Sequence, residues 1–284
     1  MTGGQNLTSE LHSFVRARTL VGTRIVYYDH GTGPALLLIH GMFGDHLDWE
    51  PVLEPLAAEY RVIAVDLPGF GESDKPDVTY STELFTEILG ELVDELELRE
   101  FTAVGNSFGG ELATIYAATE PERVRALVMV SAGGLNVRSE EELALIEKNF
   151  CEANLLALTP QYHELMFGPI FCSQSEWRAR YLEKQNRKLA RPDYAAYARS
   201  LARCIPLASR LDIRGYLPKL KCPALLLWGD GDRVFPPAIA EDAVKQLKYG
   251  ELRMVSDAGH APQLDNPVHF IAQLEAFLAT HGIA

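Results

Sequence analysis

The sequence predicts an α/β protein, a mostly parallel sheet with helices on both faces and one helical insertion. Three observations carry that expectation. Short, uniformly apolar runs alternate with helical stretches through the first half of the chain and again after Pro223, as strands buried on both faces do. Several of these runs end directly in turns that hold Gly together with Ser, Asp or His. Between about residues 135 and 210 the strand-like runs stop, and charges alternate with aromatics at helical spacing.

In chain order, residues 20–28 read as strand, Gly31-Thr32-Gly33-Pro34 as a turn, and 35–39 as a fully apolar strand. A helix is expected over 49–59, a strand over 61–65, and a loop over Asp66-Leu67-Pro68-Gly69-Phe70-Gly71-Glu72-Ser73. Then come helix 81–96, strand 101–104, helix 108–119 and strand 125–130. After the insertion the rhythm resumes with strand 224–228, helix 237–247, strand 252–255 and helix 266–279. The expected division is a core of 11–134 and 211–284 with a helical insertion at 135–210. Such a length, about 75 residues, is too great for a plain loop.

Composition narrows the class. With 47% apolar and 23% charged residues the chain is globular and not disordered. A net charge of -13 repels phosphate backbones, so nucleic acid is not an expected partner. Cys151, Cys172, Cys204 and Cys222 show neither CxxC nor zinc spacing, and are expected as buried thiols in a reducing compartment. No signal peptide or membrane span is apparent, so a cytosolic location is expected. Residues 1–5 resemble part of an expression tag and are set aside, and the sequon at Asn6 is taken as chance.

The sharpest chemical feature is Gly105-Asn106-Ser107-Phe108-Gly109-Gly110, set between an apolar strand and a helix. G-x-S-x-G in that context is a nucleophile elbow, which lifts a serine above the sheet edge. It lacks the lysine and spacing of a phosphate loop. A serine nucleophile needs a base, an acid that orients the base, and donors for the developing oxyanion. With this elbow the acid and then the base follow in the chain. Of eight histidines, His260 alone combines a position after a strand, an adjacent glycine and that order. Gly229-Asp230-Gly231-Asp232 offers two acids, and spacing does not separate Asp230 from Asp232; the bland role for Asp230 is to brace the turn. His40-Gly41-Met42-Phe43-Gly44-Asp45 follows strand 35–39, so the backbone N–H groups of Met42 and Phe108 are the expected oxyanion donors.

On these residues the chain resembles the α/β-hydrolase superfamily over nearly its whole length. The matching pieces are His40-Gly41, Asp66 to Ser73, the Ser107 elbow, Gly229 with Asp232, and Gly259-His260. The resemblance implies Asp232 as the acid and makes the insertion a helical cap, which that family carries after its sixth strand. The dehalogenase and epoxide-hydrolase branches use aspartate as nucleophile, so Ser107 argues against both. The elbow is similar to those of serine carboxylesterases and lipases and of the hydrolases that cleave carbon–carbon bonds in ring-fission products. Asp45 and Trp49 look like the esterases, whereas the carbon–carbon hydrolases commonly carry tryptophan where this chain has Ala261.

The resulting expectation is a serine hydrolase of small-molecule carboxylic esters, needing neither metal nor cofactor, with its oligomeric state left open. The alternative of another class is a non-catalytic ligand-binding protein on the same fold, which would need no ordered Ser, Asp and His. The insertion is expected to set substrate choice. Phe43, Phe167 and Phe171, with Phe150, Tyr162, Met166 and Trp177, are candidates to line an acyl pocket or simply to pack the cap. Arg180, Lys184, Arg187, Lys188 and Arg191 fall on one face if their stretch is helical, and a solvated face is the expected reading.

Overall fold

The structure is a computed structural model that describes residues 11–172 and 174–283. Residues 1–5 and the sequon at Asn6 lie outside the described residues. The strands are β1 (Val15–Leu20), β2 (Thr23–His30), β3 (Ala35–Ile39), β4 (Arg61–Val65), β5 (Phe101–Asn106), β6 (Val124–Val130), β7 (Ala224–Gly229) and β8 (Gly250–Val255). They form one sheet in the order β1-β2-β4-β3-β5-β6-β7-β8. β1 and β2 run antiparallel, β2 is antiparallel to β4, and from β4 to β8 every pairing is parallel.

The helices, in chain order, are α1 (Glu50–Ala57), α2 (Thr82–Glu95), α3 (Phe108–Thr119), α4 (Glu140–Asn149), α5 (Glu152–Leu156), α6 (Pro160–Phe167), α7 (Glu176–Lys188), α8 (Tyr194–Arg210), α9 (Ala238–Ala243), α10 (Pro262–Asp265) and α11 (Pro267–Thr280). Successive strand residues point to opposite faces, and that divides the apolar side chains into two cores. Leu37, Ile39, Leu226 and Trp228 meet Phe85, Leu89 and Leu112 of α2 and α3 on one face. Leu36, Leu38, Leu225 and Leu227 meet Trp49, Leu53, Phe270 and Phe277 on the other, beside α1 and α11. Both faces of the central strands are covered, which is why those strands read as unbroken apolar runs.

The stretch 20–28, expected as one strand, is the end of β1, a turn and most of β2. Val21 (φ 49°) and Gly22 (φ 72°) both take the left-handed backbone of a two-residue hairpin turn. β1 escapes a search for apolar runs because it is an edge strand whose Arg16 and Arg18 face solvent.

Between β6 and β7 the chain forms α4 to α8, and local chemistry starts several of these helices. Ser139 and Glu142 form a capping box, while Thr159 and Ser175 cap α6 and α7. Leu201, Cys204 and Ile205 of α8 join the sheet's first core. A smaller cluster of Phe167, Phe171, Tyr181 and Leu182 extends to Ala261 and Leu264 on the other side of the site. Cys204 and Cys222 are buried as expected, but Cys151 and Cys172 are exposed; all four are free thiols. No helix among the described residues is long and apolar enough to cross a membrane.

Candidate active site

Ser107 stands between the last residue of β5 and the first of α3, with φ 52° and ψ -116°. A side chain rarely holds such a backbone unless its surroundings enforce it. Here the elbow glycines do so by close approach. A Cβ on Gly105 would lie 2.2 Å from the Gly109 carbonyl oxygen, and one on Gly109 would lie 2.1 Å from that of Ile39. The Ser107 carbonyl is also held, accepting from the N–H groups of Gly110 at 2.9 Å and Gly133 at 3.2 Å.

His260 and Asp232 come from the loops after β8 and β7. His260 Nδ1 lies 3.0 Å from Asp232 Oδ2 and both residues are buried. Asp232 Oδ1 accepts from the backbone N–H groups of Val234 and Phe235 at 2.8 and 2.9 Å, leaving Oδ2 turned to the imidazole. Asp230, two residues earlier, is exposed and accepts weakly from Ala258 N–H at 3.3 Å. Gly229 allows the two loops to touch, since a Cβ there would sit 2.1 Å from the Gly259 carbonyl. Asn106 ties serine and histidine together. Its amide donates to the carbonyls of Val130 and His260, each at 3.1 Å. The sequence named Asn106 only as part of the elbow; its partner lies 154 residues away.

The loop after β3 forms a turn closed by Gly44 N–H on the Gly41 carbonyl at 3.1 Å. Gly41 lies against the elbow, where an added Cβ would meet Ser107 Cβ at 3.2 Å. Neither Met42 nor Phe108 N–H has an acceptor among the described residues. His40 supports the turn from below. Its Nε2 accepts from Leu67 N–H at 3.1 Å, so the ring proton sits on Nδ1 and is donated to the Gly41 carbonyl at 2.7 Å. Full burial holds the His40 pKa below its ordinary value, which keeps the ring neutral.

Of the aromatics expected near a pocket, Phe167 and Phe171 are buried within the insertion's own cluster. Phe43 is half-buried, with its ring 5.2 Å from that of Phe167 and 6.2 Å from that of Phe150. Phe150 in turn lines a groove of about 450 Å³ with Leu155, Leu158, Tyr162 and Met166.

The basic face of α7 differs from expectation. Arg187 is exposed, but Lys188 is buried, Lys184 is half-buried, and both are ion-paired. Lys184 Nζ lies 2.7 Å from Asp45 Oδ1 and also bonds Asp48; Lys188 Nζ lies 2.9 Å from Asp45 Oδ2. Burial opposes ionisation of Asp45, yet the two ammonium groups outweigh it and hold the carboxyl well below its usual range. Beneath this group, Asp66 accepts from His46 N–H at 2.6 Å and pairs with His46 Nδ1 at 2.8 Å. Burial again opposes the charge, but Asp66 raises the His46 pKa. The sequence reading also missed Glu111, one turn beyond Ser107. Its carboxyl is buried, Oε2 has no hydrogen-bond partner among the described residues, and burial pushes its pKa well above the carboxylate range. Among the described residues no group of three or more His, Cys, Asp or Glu side chains is arranged to hold a metal ion.

Comparison with known proteins follows the same lines. A family model described as the alpha/beta hydrolase fold matches residues 34–267. An uncharacterized protein of Mycobacterium tuberculosis is 32% identical over 280 residues, covering 93% of this chain and 80% of the relative. The pimeloyl-[acyl-carrier protein] methyl ester esterase of Nitrosomonas europaea is 29% identical over 248 residues, covering 87% of this chain and 96% of the relative. Among solved structures, a membrane phospholipase A described as a bacterial virulence factor superposes with a TM-score of 0.84 at 27% identity, covering 99% of this chain and 92% of that one.

Proposed function

The chain belongs to the alpha/beta hydrolase fold family, and on that premise we propose that it is a serine hydrolase cleaving small-molecule carboxylic esters through an acyl-enzyme. The observation that carries this reading is the buried Asp232–His260 pair at 3.0 Å, joined through Asn106 to a strained Ser107. The esterase and the phospholipase A among its relatives support ester cleavage in particular. Four free thiols support action in a reducing compartment such as the cytoplasm.

In this mechanism Ser107 Oγ attacks the ester carbonyl while His260 Nε2 takes the hydroxyl proton. Asp232 Oδ2 accepts the Nδ1–H bond, which fixes the tautomer and stabilises the imidazolium. Met42 and Phe108 N–H groups receive the oxyanion; one such donor is typically worth about 10²- to 10³-fold in rate. Collapse of the tetrahedral intermediate expels the alcohol, which takes the proton from His260. Water then attacks the acyl-enzyme with His260 again as base, releasing the acid and restoring Ser107. The helical insertion acts as a cap over these loops.

The test is labelling with a fluorophosphonate probe beside turnover of a panel of short and long acyl esters. Wild-type protein should be labelled and active, and folded Ser107→Ala should be neither. A wild-type chain that is neither labelled nor active on any ester would sink the proposal, as would undiminished turnover by Ser107→Ala.

A further inference from the structure

The cap grips the turn that carries the oxyanion donor Met42. In that turn, Gly41 to Gly44, the third residue is Phe43 with φ 65°, the left-handed position that a type II turn normally gives to glycine. A phenylalanine holds such a backbone only where its surroundings enforce it. The Phe43 carbonyl accepts three side-chain donors, all from α7 and α8 of the cap: Lys188 Nζ at 2.7 Å, Tyr197 Oη at 3.1 Å and Gln185 Nε2 at 3.2 Å. One residue past the turn, Asp45 is bound by Lys184 and Lys188. His40 fixes the near end of the turn, on the Gly41 carbonyl.

We infer that Lys188 and Tyr197 are positioning residues for catalysis, holding the Gly41–Gly44 turn so that Met42 N–H points at the oxyanion. The inference rests on the serine-hydrolase reading and adds a second role to the cap. Its helices do more than cover the acyl group; they build one wall of the oxyanion hole. The ion pairs also decide against a rival role for the lysines. Lys184 and Lys188 are committed to Asp45, Asp48 and the Phe43 carbonyl, so they are not available to attract an anionic substrate. Strain at Phe43 gives the clamp its direction. Released from its three donors, the turn relaxes away from the left-handed backbone and carries Met42 with it.

The experiment compares Lys188→Met, Tyr197→Phe and Arg187→Ala on p-nitrophenyl acetate, an ester too small to need an acyl pocket. Lys188→Met keeps the bulk of the stem and leaves Asp45 paired with Lys184. Tyr197→Phe removes one oxygen atom and so guards against a fold defect in the lysine variant. Small displacements of catalytic groups can cost on the order of 10²-fold, and the expected result is a kcat lowered about 10- to 100-fold with KM nearly unchanged. Amide hydrogen exchange at Met42 to Gly44 should quicken in both, and Arg187→Ala should match wild type. Lys188→Arg, which keeps a donor and a charge, should recover part of the lost kcat. Folded Lys188→Met and Tyr197→Phe proteins with wild-type kcat would overturn the inference while leaving the hydrolase reading standing. A rise in KM alone would overturn it too, by assigning these residues to substrate binding. A wild-type chain inert to every ester and to the fluorophosphonate would bring down the hydrolase reading, and this inference with it.

Discussion

Asp230 and Asp232 stand two residues apart on one loop, and their surroundings divide their roles. Asp232 is buried with Oδ1 committed to two backbone N–H donors and Oδ2 to His260. In Asp232→Asn the amide oxygen has to stay on those two donors. The amide NH2 then faces His260 Nδ1 and forces the proton onto Nε2, where it blocks proton abstraction from Ser107. The expected loss in kcat is on the order of 10⁴-fold, whereas in Asp230→Asn the exposed side chain keeps an oxygen that can still accept from Ala258 N–H, and only a charge is lost. Assaying both variants on one short ester decides the matter; a larger loss from Asp230→Asn would reverse the roles. Glu111 makes a different prediction. Its carboxyl is buried and its pKa is raised by that burial, so the native state keeps a proton that the unfolded chain releases above about pH 4.3. The stability it contributes is fully present below that pH and is lost as pH rises toward the folded-state pKa. Glu111→Gln should match wild type at pH 4 and exceed it at pH 8, with the gap growing by up to about 1.4 kcal/mol per pH unit in between. Denaturant midpoints at the two pH values measure it. A glutamine variant weaker than wild type at pH 8 would mean that a charged Glu111 is in use.

At the scale of elements, what was legible in the sequence was what is encoded locally. β3 and β7 read as strands because both of their faces are covered, and the Ser107 elbow read as a turn because its glycines allow α3 to approach β5 and β3 closely. The helix expected over 81–96 is α2, which starts one residue later because Ser81 is its cap, its side chain accepting from Leu84 N–H at 3.2 Å. Polar β1 was not, because an edge strand has no apolar run. Asp232 could be preferred to Asp230 only through the family resemblance, since the difference lies in what each faces. Lys184 and Lys188 looked like a solvated face because their partners are far off in the chain: Asp48 and Asp45 lie 136 and 139 residues from Lys184, and Lys188 shares Asp45. The junction between the insertion and the loop after β8 was hidden for the same reason. His260 N–H donates to the Ile170 carbonyl at 2.7 Å, and Asp265 accepts from both Gly259 and Cys172 N–H. Gly259 allows that approach, as a Cβ on it would lie 2.3 Å from the Ile170 carbonyl oxygen. Gly259→Ala must therefore push His260 off its station, and kcat should fall at least about tenfold. Gly215→Ala, with open space around the added carbon, should behave like wild type in both kcat and melting temperature. Equal activity in Gly259→Ala would show that the junction yields without moving His260.

For the whole molecule, these contacts imply that cap and sheet fold as one unit. An insertion joined only at its two ends would be free to open and unfold by itself, since local opening is governed by how few buried contacts hold a segment. This one is fastened at three places: α8 lies in the sheet's own core, α7 is ion-paired to the loop after β3, and the segment at Ile170–Cys172 is bonded to the loop after β8. Breaking a buried ion pair by removing one partner costs about 3–5 kcal/mol, a large part of the 5–15 kcal/mol that keeps a typical domain folded. The three tryptophans allow a direct measurement, because Trp49 and Trp228 are buried against the sheet while Trp177 lies on α7 with Arg180 stacked 4.8 Å from its ring. The difference in emission between wild type and Trp177→Phe reports the cap, and the remaining emission reports the sheet. In urea both signals should give one coincident transition with the same midpoint. In Lys184→Met, which leaves Asp48 without its lysine, the cap signal should move to lower urea and separate from that of the sheet. A wild-type protein whose Trp177 signal is lost first would show that the cap opens independently. The ion pairs on Asp45 would then be too weak to hold the oxyanion turn through the cap.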